Sequence, residues 1–420
     1  MAFVPVTVSR PQVLPPLFTS RRLYVHIFLL LIIVLILVVV RFMSHVRLTF
    51  VHYHMESDTD AELVTLPKSF AREKGAFCLD GSPPAYYYRP SPIISSNLWI
   101  IYLPGGGWCV SEEDCFQRSL TSLGSSHVAP TSLSMDGFLS KNCNNNPDFC
   151  WWNVLIFHYC DGGSFLGNQS HNVDFKSRSL YMRGGRIFEA LIEYLMSTTG
   201  LKDAEQIILS GTSAGGIGAL IHTDLLRSRL PPSVKTLHVL VDGAMFVDVP
   251  DVDGQRSMAK MLSSFYHLHS VKDATSIQEC TRTMKKEDTW RCLLPQVYQS
   301  FVFTPAFFIQ SIYDTWQRTN VLKVPCFAVT CPEAHLDEVY KARDAVQSMA
   351  QQIMTSRKNG VFLTVCPAHT ILIRPYFYKK EVGNPTIQKS LSSWLQHSEV
   401  QTHVDVNLPL EAAVEMCQTA

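Results

Sequence analysis

The sequence predicts an α/β fold: a mainly parallel sheet with helices on both faces. Three observations carry that expectation. Short apolar runs alternate with helix-patterned stretches, the order that βαβ units produce. The runs are apolar throughout rather than at every second residue, as strands covered on both faces require. One of them, Ile207 to Leu209, feeds a Gly-x-Ser-x-Gly turn and then a helix pattern rich in alanine and leucine.

At 420 residues and 46% hydrophobic, the chain can bury a large core. Its formal net charge is zero, which removes any bulk attraction to nucleic acid or acidic lipid. No internal repeat or low-complexity tract interrupts it. From Ile27 to Val40 every residue is Ile, Leu, Val or Phe. A helix over Leu23 to Val40 would span about 27 Å, slightly short for an average bilayer and suited to an early-secretory membrane. Arg10, Arg21 and Arg22 precede the run, and no small-x-small cleavage site follows at Arg41, Phe42 and Met43. The expectation is a signal anchor over residues 23–43 with residues 1–22 in the cytosol. A cleaved signal peptide, giving a secreted protein, is the rival. Residues 44–68 read as a stem, 69–398 as the folded domain and 399–420 as a tail.

All twelve cysteines follow the apolar run. An even number confined to one side points to an oxidising lumen and a disulfide framework. The spacings lack the paired knuckles of structural zinc. Cys109 with Cys115 and Cys280 with Cys292 are plausible local pairs. Asn168-Gln169-Ser170 is a glycosylation sequon, whereas Pro385 rules out Asn384. In order, strands are expected at Leu98–Leu103, Val154–Phe157, Ile207–Leu209, Leu237–Val241, Phe307–Tyr313, Cys326–Thr330 and Val361–Val365. A helix is expected over Ile187–Leu195.

The turn Gly211-Thr212-Ser213-Ala214-Gly215 has the strand-turn-helix setting of a nucleophile elbow. Its glycines leave room where a Cβ would clash, so the serine hydroxyl can stand clear. The helix from Ala214 points free N–H groups at the same spot. A serine hydroxyl needs a base, and the base needs an orienting acid. In α/β-hydrolase order, both follow the serine, each after a strand. Asp314 and Asp242 are the candidate acids, and His369 and His335 the candidate bases. Position alone leaves both choices open. Upstream, Pro104-Gly105-Gly106-Gly107-Trp108-Cys109 follows a strand and can bring backbone N–H groups to an acyl oxygen. The amides of Gly107, Trp108 and Ala214 are the expected oxyanion donors. Without Gly-Lys-Ser/Thr or Rossmann spacing, the loop does not read as a phosphate site, and no cofactor is called for.

Six stretches in order resemble the pectin acetylesterase family, which also includes Notum. They are Pro104 to Cys109, Leu123-Gly-Ser-Ser126, Tyr159-Cys-Asp-Gly162 with Ser164-Phe165, Ser210 to Gly216, Tyr313-Asp-Thr-Trp-Gln317, and Cys366-Pro-Ala-His369. They span roughly residues 70–397, and the Tyr313 and Tyr159 stretches look closer to the plant branch than to Notum. The resemblance implies an α/β-hydrolase fold with Ser213 as nucleophile, Asp314 as acid and His369 as base. It implies an O-acetyl ester on a polysaccharide as substrate. Asp161 and Ser164 are expected to line the sugar side. A longer acyl chain would need an apolar pocket; Phe246, Phe303, Phe307 and Phe308 could supply one, although plain core packing is the more ordinary use of such residues. A glycan-binding module that kept the fold is the non-enzymatic alternative.

Overall fold

The computed structural model describes residues 28, 31, 61–326, 330–379, 385–397, 402–404 and 408–418. Apart from Phe28 and Leu31, the expected anchor over residues 23–43 lies outside them. Among the described residues no helix is long and apolar enough to cross a membrane.

One sheet organises the chain from Ala61 onward. In chain order its strands are β1 (Ala61–Thr65), β2 (Ala85–Arg89), β3 (Leu98–Leu103), β4 (Ser132–Leu133) and β5 (Asn153–Phe157). After a separate hairpin of β6 (Val173–Phe175) and β7 (Arg178–Leu180) come β8 (Gln206–Thr212), β9 (Thr236–Asp242), β10 (Ala306–Ser311), β11 (Gly360–Thr364) and β12 (Thr402–Val404). The spatial order is β12-β11-β10-β9-β8-β3-β5-β2-β1-β4. From β12 to β5 every pairing is parallel; from β5 to β4 every pairing is antiparallel. The predicted mainly parallel sheet is thus present, with an antiparallel edge added.

Successive strand residues enter opposite layers, as the pleat requires. Ile101, Leu209, Val241 and Phe308 pack into one layer, with the helices Gly184–Thr198, Ala214–Arg229 and Glu333–Met354. Ile100, Ile208, Leu240 and Phe307 pack into the other, with Leu391 and Trp394 of the helix Ile387–His397. Both faces are covered, which is why the central strands carry no polar alternation.

The segment expected to be a stem contributes β1. It lies next to the two-residue edge strand β4, and its mixed exposure, with Ala61 buried and Glu62 exposed, hid it from a search for wholly apolar runs. The expected tail also belongs to the fold: β12 extends the sheet beside β11, and the helix Leu410–Gln418 carries Cys417 to Cys366. The predicted strand Cys326–Thr330 falls largely on residues outside the described set, and Cys326 is bonded to Cys331.

All twelve cysteines are paired. The bonds are Cys78–Cys160, Cys109–Cys115, Cys143–Cys150, Cys280–Cys292, Cys326–Cys331 and Cys366–Cys417. Cys109 and Cys115 lie beside His269, but their sulfurs are spent on each other and are not thiolate donors to a metal.

Candidate active site

Ser213 sits between β8 and the helix Ala214–Arg229, with φ 54° and ψ −126°. Few non-glycine residues adopt such a backbone, and it places the side chain above the sheet edge. The turn closes so tightly that a Cβ on Gly215 would lie 2.1 Å from the Leu103 carbonyl oxygen. One on Gly211 would lie 2.3 Å from the Gly215 oxygen. The Ser213 N–H donates to the Asp242 carbonyl at 2.8 Å, tying the elbow to β9.

His369 follows β11, and its Nε2 lies 2.7 Å from Ser213 Oγ. Its Nδ1 lies 3.0 and 2.9 Å from the two oxygens of Asp314. Asp314 follows β10, is buried, and starts the helix Thr315–Asn320. Its Oδ1 accepts from the Gln317 N–H at 2.9 Å, and its Oδ2 accepts from Gln310 Nε2 at 2.8 Å. Gln310 and Gln317 also accept the Met245 and Val247 N–H groups, which staples the loop after β9 to the acid. The Trp316 ring stacks over the histidine at 5.6 Å. Of the alternatives, His335 lies on the helix Glu333–Met354, with Nδ1 3.7 Å from Cys326 Sγ. Asp242 contacts the backbone beyond His369 rather than its ring.

The glycine loop faces the elbow. Arg118 Nη2 donates to the Gly106 carbonyl at 2.9 Å, and the Tyr159 hydroxyl donates to the Gly107 carbonyl at 2.6 Å. A peptide N–H points opposite the carbonyl of the same plane, so these bonds turn the Gly107 and Trp108 N–H groups the other way. Neither amide, nor that of Ala214, has an acceptor among the described residues.

Two expected substrate contacts are corrected. Asp161 and Ser164 are both fully buried. Asp161 Oδ2 accepts the Gly163 and Phe165 N–H groups. Burial pushes its carboxyl up to about 7. Ser164 accepts from Trp108 Nε1 and donates to the Ala214 carbonyl, both at 2.7 Å. Ser164 thus ties the glycine loop to the elbow, and Asp161 fixes the turn that carries it. Asn168 Nδ2 donates to the Asp273 carbonyl and its Oδ1 accepts from Arg186.

A cavity of about 600 Å³ opens beside Ser213 and His369. Its wall includes Gly105 to Gly107, Trp316, His158 and Tyr102. The four phenylalanines do not line it: Phe246, Phe307 and Phe308 are core residues, as plain packing predicts, and Phe303 is exposed. Sequence reasoning missed His158, although it directly follows β5 at the same edge. It also missed Gln310, whose signal was an amide directly after the apolar run Ala306–Ile309 of a buried strand.

The pectinacetylesterase family model matches residues 45–415. Pectin acetylesterase 5 of Arabidopsis thaliana is 32% identical over 83% of this chain and 84% of its own length. The palmitoleoyl-protein carboxylesterase NOTUM of Schmidtea mediterranea is 28% identical over 79% of this chain and 63% of its own. The structure of the Wnt deacylase Notum from Drosophila superposes with a TM-score of 0.72 at 21% identity, covering 83% of this chain and 97% of that one. That likeness shows the α/β-hydrolase fold. With the family model matching most of its length, the chain belongs to the pectinacetylesterase family, and its named relatives are carboxylic ester hydrolases.

Proposed function

We propose that the protein hydrolyses O-acetyl esters on a polysaccharide through Ser213, His369 and Asp314. The observation that carries the reading is the continuous hydrogen-bonded path from Ser213 Oγ through His369 to Asp314 at the mouth of the cavity. His369 Nε2 takes the hydroxyl proton as Oγ attacks the carbonyl carbon. Asp314 holds the imidazole and stabilises its cation. The Gly107, Trp108 and Ala214 amides receive the charge that gathers on the acyl oxygen. Losing one such donor typically costs about 2.7–4 kcal/mol. The proton passes to the leaving sugar oxygen, and water then frees the acetyl group by the same route. The plant relatives support acetyl and a polysaccharide.

A longer acyl chain is the second reading. It is favoured by the apolar part of the wall, which includes Leu133, Met135, Leu139 and Ile156. Rates on acetyl and octanoyl p-nitrophenyl esters separate the two, and a strong octanoyl preference overturns the acetyl reading. Acetylated pectin, xylan and mannan, with Ser213→Ala as control, identify the glycan. A fluorophosphonate probe that leaves folded protein unlabelled at Ser213 would favour a glycan-binding module instead.

Membrane anchorage facing the secretory lumen belongs to the same proposal, supported by the apolar run and the cysteine distribution. Full-length protein should stay in the membrane pellet after alkaline carbonate, and release into the supernatant counts against an anchor. Asn168 remains the proposed glycosylation position, checked by the mobility of Asn168→Gln.

A further inference from the structure

Asp242 was a candidate for the catalytic acid, and the geometry gives it different work. It ends β9, directly beside Thr212 at the end of β8. Three contacts leave this point. Its carbonyl accepts the Ser213 N–H at 2.8 Å. Its Oδ2 accepts the Ile371 and Leu372 N–H groups at 2.9 and 3.0 Å, in the loop that carries His369. The next residue, Gly243, has φ 61°, and a Cβ there would lie 2.2 Å from the His369 carbonyl oxygen. One dipeptide therefore touches both the nucleophile turn and the histidine loop.

The side chain is fully buried, and its Oδ1 has no hydrogen-bond partner among the described residues. Burying a carboxylate with one oxygen unpaired is costly, so packing alone is a poor reason to place it there. The titratable groups that face it are His369 and Asp314, from the loops after β11 and β10, and the Tyr102 hydroxyl from β3. Burial raises the carboxyl to about 7, against the pull of the two N–H donors and of His369.

We infer that Asp242 is a positioning residue: its carboxylate holds the His369 loop in register with Ser213, and its charge favours the histidine cation formed during attack. The inference rests on the Ser213–His369–Asp314 reading. In the ionised state the two N–H bonds are charge-assisted and the loop is fixed. Once protonated, the group still accepts, but more weakly, and no longer favours the cation.

Asp242→Asn keeps an acceptor and nearly the same shape while removing the charge. At about pH 8 its kcat should fall ten- to a hundredfold, with KM little changed, as a small misplacement of reacting groups produces. Near pH 5.5, where the wild-type carboxyl is mostly protonated, the two proteins should converge. Asp242→Ala, which also strands two N–H groups, should lose more at both pH values. A variant that melts like wild type and matches its kcat at pH 8 overturns the inference. If Asp242→Asn does not fold, hydrogen exchange of the wild type decides. Protection of the Ile371 and Leu372 amides should rise with pH through about 7, and pH-independent protection overturns the clamp. Wild-type protein that fails to label with fluorophosphonate at Ser213 would instead sink the triad reading itself.

Discussion

Ser213 holds a backbone state that costs on the order of 1–3 kcal/mol, retained because β8, Asp242 and the following helix fix it from three sides. Asp314 is equally constrained, because each oxygen accepts from His369 and from a second donor. Asp314→Asn must turn an NH2 group toward one of those donors. Its kcat should drop on the order of 10⁴-fold while the protein stays folded, measured by turnover and circular dichroism. Trp316 bounds the cavity and covers the histidine ring. Trp316→Ala should enlarge the acyl side and raise the octanoyl-to-acetyl rate ratio several-fold, read with the p-nitrophenyl esters. The identity of these side chains was legible in six short motifs, but their environments were not. Whether Asp161 faces a sugar or a pair of backbone amides depends on how residues 161–165 curl, and no local pattern states that.

At the scale of the element, the wholly apolar strands were the readable ones. Leu98–Leu103 has its expected bounds, and β8 through β11 lie within a few residues of theirs. The antiparallel end of the sheet was harder, because a strand that is only partly covered carries mixed residues, as β1 does at Glu62, and β4 beyond it has only two residues. The short β12 was hidden by its length, and the closing helix by its distance in sequence from what it packs against. That helix is attached through Cys366–Cys417, which closes 51 residues and ends three residues before His369. Cys417→Ser should lower stability by about 4 kcal/mol in the chain-entropy picture. Calorimetry should show a melting temperature on the order of 5–10 °C lower. Because Cys366 also accepts the Ser311 hydroxyl bond through its carbonyl, turnover should fall at temperatures well below the melt.

Across the molecule, buried titratable groups set the pH range of stability. His222, His238 and His269 are held down to about 4 by burial, and burial lowers His158 as well. Between pH 4 and about 6.5 the unfolded chain binds protons at these histidines that the native chain does not, so stability rises with pH there. Asp161 and Asp242 act oppositely: both are raised to about 7 by burial, so the native chain holds two protons that the unfolded chain has released. The four histidines outnumber the two carboxyls, which leaves a net gain up to about pH 6.5 and a decline just above it. Melting temperature should therefore climb from pH 4, peak near pH 6.5 and slip by pH 7.5; a steady rise across the range would contradict this balance. The bond between Cys366 and Cys417 also bears on timing. A ribosome must have delivered Cys417, and an oxidant must have met it, before the histidine loop acquires its permanent brace. Until then, the segment that carries His369 lacks its covalent tie to the helix that closes the chain.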